Sequence, residues 1–149
     1  MQLQQYSDAI MSFEKASATV KMGSSIFQDL VIKKADCFFM TKDFTRAMVL
    51  YDQVIDRKYD AEDYAYFQKS IIFGASNKTS EKLALLQKFV KQYPNSGLIG
   101  DVYMEMANTY LAAESYALAV SPLQQITSSV PLAAWHPAAY LKLGVAYFN

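Results

Sequence analysis

The sequence predicts an all-α protein, an array of antiparallel helix pairs, and three observations predict it. A small residue recurs at Ala35, Ser70, Ala107 and Gly144, so successive copies lie 35, 37 and 37 residues apart. An aromatic follows each of them by three, as Phe38, Phe73, Tyr110 and Tyr147. Helix breakers at Pro94, Pro131 and Pro137 fall where such a scheme needs a turn or a helix start. A period in this range marks repeats that bury their apolar faces only by stacking on neighbours.

Each element can be justified in turn. The first predicted helix, about 6–20, carries Tyr6, Ala9 and Phe13: an aromatic, a small residue three later, a large apolar residue four beyond. The second, about 28–41, carries Ala35 and Phe38, and the third, about 44–57, repeats the first pattern with Phe44, Ala47 and Tyr51. The fourth, about 61–75, contains Ser70-Ile71-Ile72-Phe73, which is β-like alone but helical by its place in the repeat. The fifth, about 79–92, keeps Leu86 but has Lys82 where the small residue should stand and Thr79 where the aromatic should. Pro94 then closes a turn, with Asn95 or Ser96 available to cap the sixth helix, about 97–112. The seventh, about 116–129, carries Tyr116, Ala119 and Leu123. The eighth, about 134–148, opens with His136-Pro137 and carries Tyr140, Leu143, Gly144 and Tyr147. Spacings of three and four place each set on one helical face.

No long loop or low-complexity linker interrupts the series, so one array is expected. It comprises a half repeat at 1–20, repeats at about 28–60, 61–96 and 97–131, and a half repeat at 134–149. The chain ends on Val145-Ala146-Tyr147-Phe148 rather than on a polar cap, which reads as a segment of a longer protein.

Composition narrows the function. Hydrophobic residues make up 52% and charged residues 19%, which excludes a disordered polyampholyte. No apolar run approaches the roughly 20 residues of a membrane span, so no membrane insertion is expected. Formal net charge is zero, so no global basic field attracts nucleic acid. Cys37 is the one cysteine, leaving no intrachain disulfide; its apolar neighbours suggest an inert buried thiol, compatible with a reducing or an oxidising compartment. Met1-Gln2-Leu3-Gln4-Gln5 lacks the basic and apolar regions of a signal peptide. Periplasmic, envelope and cytoplasmic locations all stay open.

Catalytic chemistry has little to rest on. His136 is the sole histidine, and Trp135 and Pro137 beside it suggest a staple at a helix start. No Cys/His cluster offers metal ligands, and five scattered glycines build no phosphate loop, so no cofactor is expected. Asp60, Glu62 and Asp63 gather at a helix start, where the macrodipole favours carboxylates. Most of the eleven tyrosines follow the repeat and read as core.

Tyr140-x-x-Leu143-Gly144-x-x-Tyr147 and Tyr103-x-x-Met106-Ala107-x-x-Tyr110 on first helices, with Asp43-Phe44-Thr45-Arg46-Ala47-Met48-Val49-Leu50-Tyr51 on a second, resemble the tetratricopeptide repeat (TPR) family over nearly the whole chain. That resemblance implies a right-handed α-solenoid. Lys34 and Lys69 depart from it in place of leucine, as do Val54, Phe89 and Ile126 in place of a later small residue. The repeat lengths and Phe89-Val90-Lys91-Gln92-Tyr93-Pro94-Asn95-Ser96 are similar to the bacterial cell-envelope branch of the family.

The resemblance further implies a concave groove lined by first helices that binds a peptide or helix. Carried over residue by residue, the groove face comprises Asp29, Ile32, Lys33, Asp36 and Phe39, then Tyr64, Phe67, Gln68 and Ile71. It continues with Asp101, Met104, Glu105 and Asn108, then Leu141 and Lys142. The Lys/Arg/Asn clamp with which some members hold a C-terminal carboxylate is not reproduced, since Ile32 and Asp36 stand where lysine and asparagine are needed. An apolar, locally basic segment anchored on Phe39, Tyr64, Phe67 and Met104 is expected instead. The expected function is a non-catalytic protein–protein interaction scaffold. The alternative is a homo-oligomerisation or assembly segment of a larger bacterial envelope protein, using apolar terminal helices such as that ending in Tyr147 and Phe148.

Overall fold

A computed structural model describes residues 2–149. Among these residues eight α-helices follow one another: α1 Gln2–Ser17, α2 Ser25–Met40, α3 Phe44–Asp56, α4 Glu62–Ala75, α5 Thr79–Gln92, α6 Ile99–Ala112, α7 Tyr116–Thr127 and α8 His136–Phe148. No strand occurs among the described residues. The chain divides into two compact units, Met1–Ser76 and Asn77–Asn149. In the first, α1 packs on α2, α2 on α3 and α3 on α4. In the second, α5 packs on α6, α6 on α7 and α7 on α8.

Boundaries differ from expectation where capping decides them. α2 starts at Ser25 rather than near 28 because the Ser24 hydroxyl accepts the Phe27 N–H at 3.3 Å. α6 starts at Ile99 rather than near 97, and neither Asn95 nor Ser96 is its N-cap. The Ser96 hydroxyl instead accepts the Leu98 N–H at 3.1 Å, fixing the turn ahead of the helix. α1 ends at Ser17, short of 20. A 3-10 turn, Val130–Trp135, occupies the start expected for α8. Pro137 does fall in the first turn of α8, where its missing N–H has no helical partner to lose.

The turns share one device. Lys42, Lys58, Asn77 and Glu114 each take a positive φ immediately beyond a helix end. After α2 the Lys42 and Asp43 amides donate to the Phe39 and Phe38 carbonyls at 2.9 and 2.8 Å. Lys58–Tyr59 and Glu114–Ser115 repeat that double closure after α3 and α6.

In the first unit Val31, Ala35, Phe38, Ala47, Tyr51, Val54 and Ala65 form one buried cluster, and in the second Ala107, Ala119, Leu123, Ile126, Ala139 and Leu143 form another. The small residues Ala35, Ala47, Ala107 and Ala119 are fully buried. Gly100 has a separate reason to be small: a Cβ there would lie 2.6 Å from the Trp135 indole nitrogen. Pro122 is buried inside α7 and withholds one helical N–H.

The lysine departures from the repeat pattern are resolved by the seams. Lys34 pairs with Glu14 of α1 at 2.9 Å, and Lys69 pairs with Asp52 of α3. Both acids stand five residues past the small residue of the preceding helix. Met106 and Leu143 replace the lysines in the second unit, and Gln87 and Gln124 replace the acids. Those glutamines donate to the Tyr110 and Tyr147 hydroxyls at 3.4 and 3.1 Å, where the first unit has Phe38 and Phe73. One register thus carries either a lysine–acid pair beside phenylalanine or a glutamine–tyrosine pair beside an aliphatic residue.

Candidate functional site

The predicted face of the first unit lies on α2 and α4. Its centre is the Asp36 carboxylate, which accepts from the Tyr51 hydroxyl at 2.7 Å and the Tyr64 hydroxyl at 2.9 Å. Three helices are thereby tied at one oxygen. The two rings meet edge to face, with centroids 6.5 Å apart. Burial, with the Asp36 charge beside it, pushes the Tyr64 pKa up to about 12 and raises that of Tyr51 further. Both phenols therefore stay neutral donors, and Asp36 is committed to structure rather than offered to a partner.

The remaining residues of this face divide by what they pack against. Ile32, Phe39 and Tyr64 pack against the unit's core, Phe39 with its ring 5.9 Å from Phe44. Asp29 and Lys33 are exposed. Phe67, Gln68 and Ile71 on α4 are half-buried. Phe67 and Ile71, four residues apart on one helical face, form an apolar pair beside the Asp36 network.

On α6 and α8 of the second unit, Met104 is only 7% exposed and belongs to the core, so it contributes packing rather than an anchor surface. Glu105 receives the Lys82 ammonium from α5. Lys82 occupies the missing small-residue position and is itself buried, its stem threading the seam so that its charge meets a carboxylate. Asp101 and Asn108 are half-buried, and burial raises the Asp101 pKa. Lys142 is half-buried, whereas Leu141 is exposed. The predicted face carries Asp29, Asp36, Asp101 and Glu105 against Lys33 and Lys142, but Asp36 and Glu105 are already engaged.

A further open groove lies elsewhere on the second unit, between α5, α6 and α7, and includes Val90, Lys91, Tyr103, Met106 and Pro122. Its α6 residues alternate with those of the predicted face, so sequence reasoning assigned them to core. The proline inside α7 was its one available signal.

His136 donates from Nε2 to the Ser129 carbonyl at 3.0 Å, tying the 3-10 turn to the start of α8. Cys37 is buried, and burial raises its thiol pKa. No group of three metal-ligating side chains occurs among the described residues, and no helix among them is long and apolar enough to cross a membrane.

Comparison with known proteins matches residues 64–96, which contain most of α4 and all of α5, to the tetratricopeptide repeat. A solved chain from Podosopora anserina, described as a putative kinesin light chain with nearly identical TPR-like repeats, superposes with a TM-score of 0.71 at 19% identity, covering 98% of this chain and 79% of that one. A second solved form of that chain, carrying one substitution, gives the same values. At that identity the likeness is one of fold. No curated protein matches the chain.

Proposed function

We propose that this chain, a tetratricopeptide-repeat chain by its matched repeat and its fold, works as a non-catalytic protein-interaction module that binds an apolar peptide or helix of another protein on the α2/α4 face. The observation that carries this reading is the Asp36 network. It fixes α2, α3 and α4 against one another beside Phe67 and Ile71, so the face is ordered before a ligand arrives. Half-buried aromatic and aliphatic side chains on a fixed frame are the kind of anchor that dominates peptide binding. Asp29 and Lys33 at the exposed margin offer charges of both signs, which suits orientation more than affinity.

Selection of a random peptide library on the 149-residue chain tests this. Enriched peptides should carry apolar residues at helical or extended spacing, and Phe67→Ala with Ile71→Ala should weaken binding about tenfold or more, equivalent to about 1.4 kcal/mol. Circular dichroism should remain helical in both variants. Enriched peptides that bind those variants and the parent equally would remove the α2/α4 face from consideration.

A further inference from the structure

We propose that the groove between α5, α6 and α7 is a binding site for a small apolar carboxylate, separate from the α2/α4 face. Three exchanges within the repeat register shape it. In the first unit Lys34 of α2 reaches Glu14 of α1 at 2.9 Å, and Leu50 of α3 packs against the core. In the second unit α5 and α7 likewise pack on α6, but Met106 stands in place of Lys34, Gln87 in place of Glu14 and Pro122 in place of Leu50. The Gln87 amide turns to the Tyr110 hydroxyl at 3.4 Å. An ion pair is thereby exchanged for neutral side chains, and a proline ring reaches less far from its helix than leucine does. The space that remains is a cavity of about 440 Å³, a size typical of small-molecule sites.

The cavity is apolar below and polar above. Met106 and Pro122 are buried and form its floor, with Val90 and Tyr103 half-buried beside them. Lys91, Ser121 and Gln125 line it too and are exposed, which places them at the rim. Among the described residues Lys91 is the one charged side chain of the lining and enters no ion pair. The Ser121 hydroxyl and the Gln125 amide can donate beside it.

An apolar floor under a cationic, donor-bearing rim is complementary to an apolar body that carries one anionic oxygen group. A single ammonium matches a carboxylate, with one negative charge, better than a phosphate monoester, which carries nearly two. The methionine thioether and the tyrosine ring suit an aromatic or aliphatic body equally.

Nuclear magnetic resonance of the methionine methyl groups tests the proposal, with the Met106 signal assigned through Met106→Leu. Titration with 4-phenylbutyrate at low salt should shift that signal saturably. The uncharged 4-phenylbutan-1-ol should bind about two- to fivefold more weakly, because the ion pair at an exposed lysine is modest. Lys91→Glu should invert the preference, so that 4-phenylbutylamine binds more tightly than the acid. Ser121→Trp should fill the groove and abolish binding of acid and alcohol with helicity unchanged; if helicity is lost, Gln125→Trp replaces it. Three results overturn the proposal: no shift at Met106, equal affinity for acid and alcohol, or a Lys91→Glu chain that still prefers the acid. Tighter binding of the dipeptide acetyl-Phe-Leu than of 4-phenylbutyrate also overturns it, by assigning the groove to the carboxyl end of another polypeptide.

Discussion

The residue that organises the first unit is Asp36, and its role was invisible in the sequence. By register it sits on the face that resemblance assigns to ligand binding, but its oxygen accepts two tyrosyl hydroxyls. The consequence for stability has a definite sign. Unfolded tyrosines titrate near 10, whereas folded Tyr64 is pushed up to about 12 and Tyr51 is raised as well. The stabilising contribution is therefore complete below pH about 10 and is lost as pH rises through the folded value. Alkaline titration followed by circular dichroism should show stability falling above pH about 10, and Tyr64→Phe should reduce that fall. A pH dependence identical in parent and variant would separate Tyr64 from the effect. Cys37, by contrast, could be read in advance: one cysteine beside Phe38 in an apolar run is buried as expected. Lys42, Lys58 and Glu114 could not, since a positive φ at such residues comes from the turn geometry that surrounds them. Nor could Gly100, whose small size answers to Trp135, distant in sequence.

At the scale of elements, hydrophobic spacing located all eight helices, because three- and four-residue periodicity is a local property. What spacing could not show was how a departure from the pattern is balanced. Lys34 and Lys69 stand where the repeat pattern calls for leucine, and each meets an acid across a seam. Lys82 looked like the loss of a small residue, and it reaches Glu105. These partners lie 17 to 23 residues away, beyond any periodicity window. The Lys69–Asp52 seam predicts a measurable coupling. Asp52→Lys should destabilise the chain, and Lys69→Glu added to it should restore most of the loss. Because Asp52 is half exposed, the coupling in thermal denaturation should be about 0.5–1 kcal/mol. Coupling indistinguishable from zero would mean that the pair is incidental to the seam.

For the whole molecule, one repeat register accounts for buried alanines, exposed Gly144 and the alternation of seam pairs. The same register underlies the proposed ligand face. The candidate site was legible only in outline. Resemblance placed its residues on first helices, but packing against the cores then separated Met104 and Phe39 from Phe67 and Ile71 on α4. That division depends on side-chain volumes in neighbouring helices, which spacing along one helix does not encode. The most direct measurement is the thermal stability of Ala107→Trp beside Gly144→Ala, two changes at one register position. Ala107 is fully buried, so tryptophan should overpack the α6–α7 seam and cost about 1–3 kcal/mol or more. Gly144 faces open space in a helix, so alanine should leave stability unchanged or raise it by up to about 1 kcal/mol. Unchanged stability in Ala107→Trp, or a loss in Gly144→Ala comparable to it, would contradict the register.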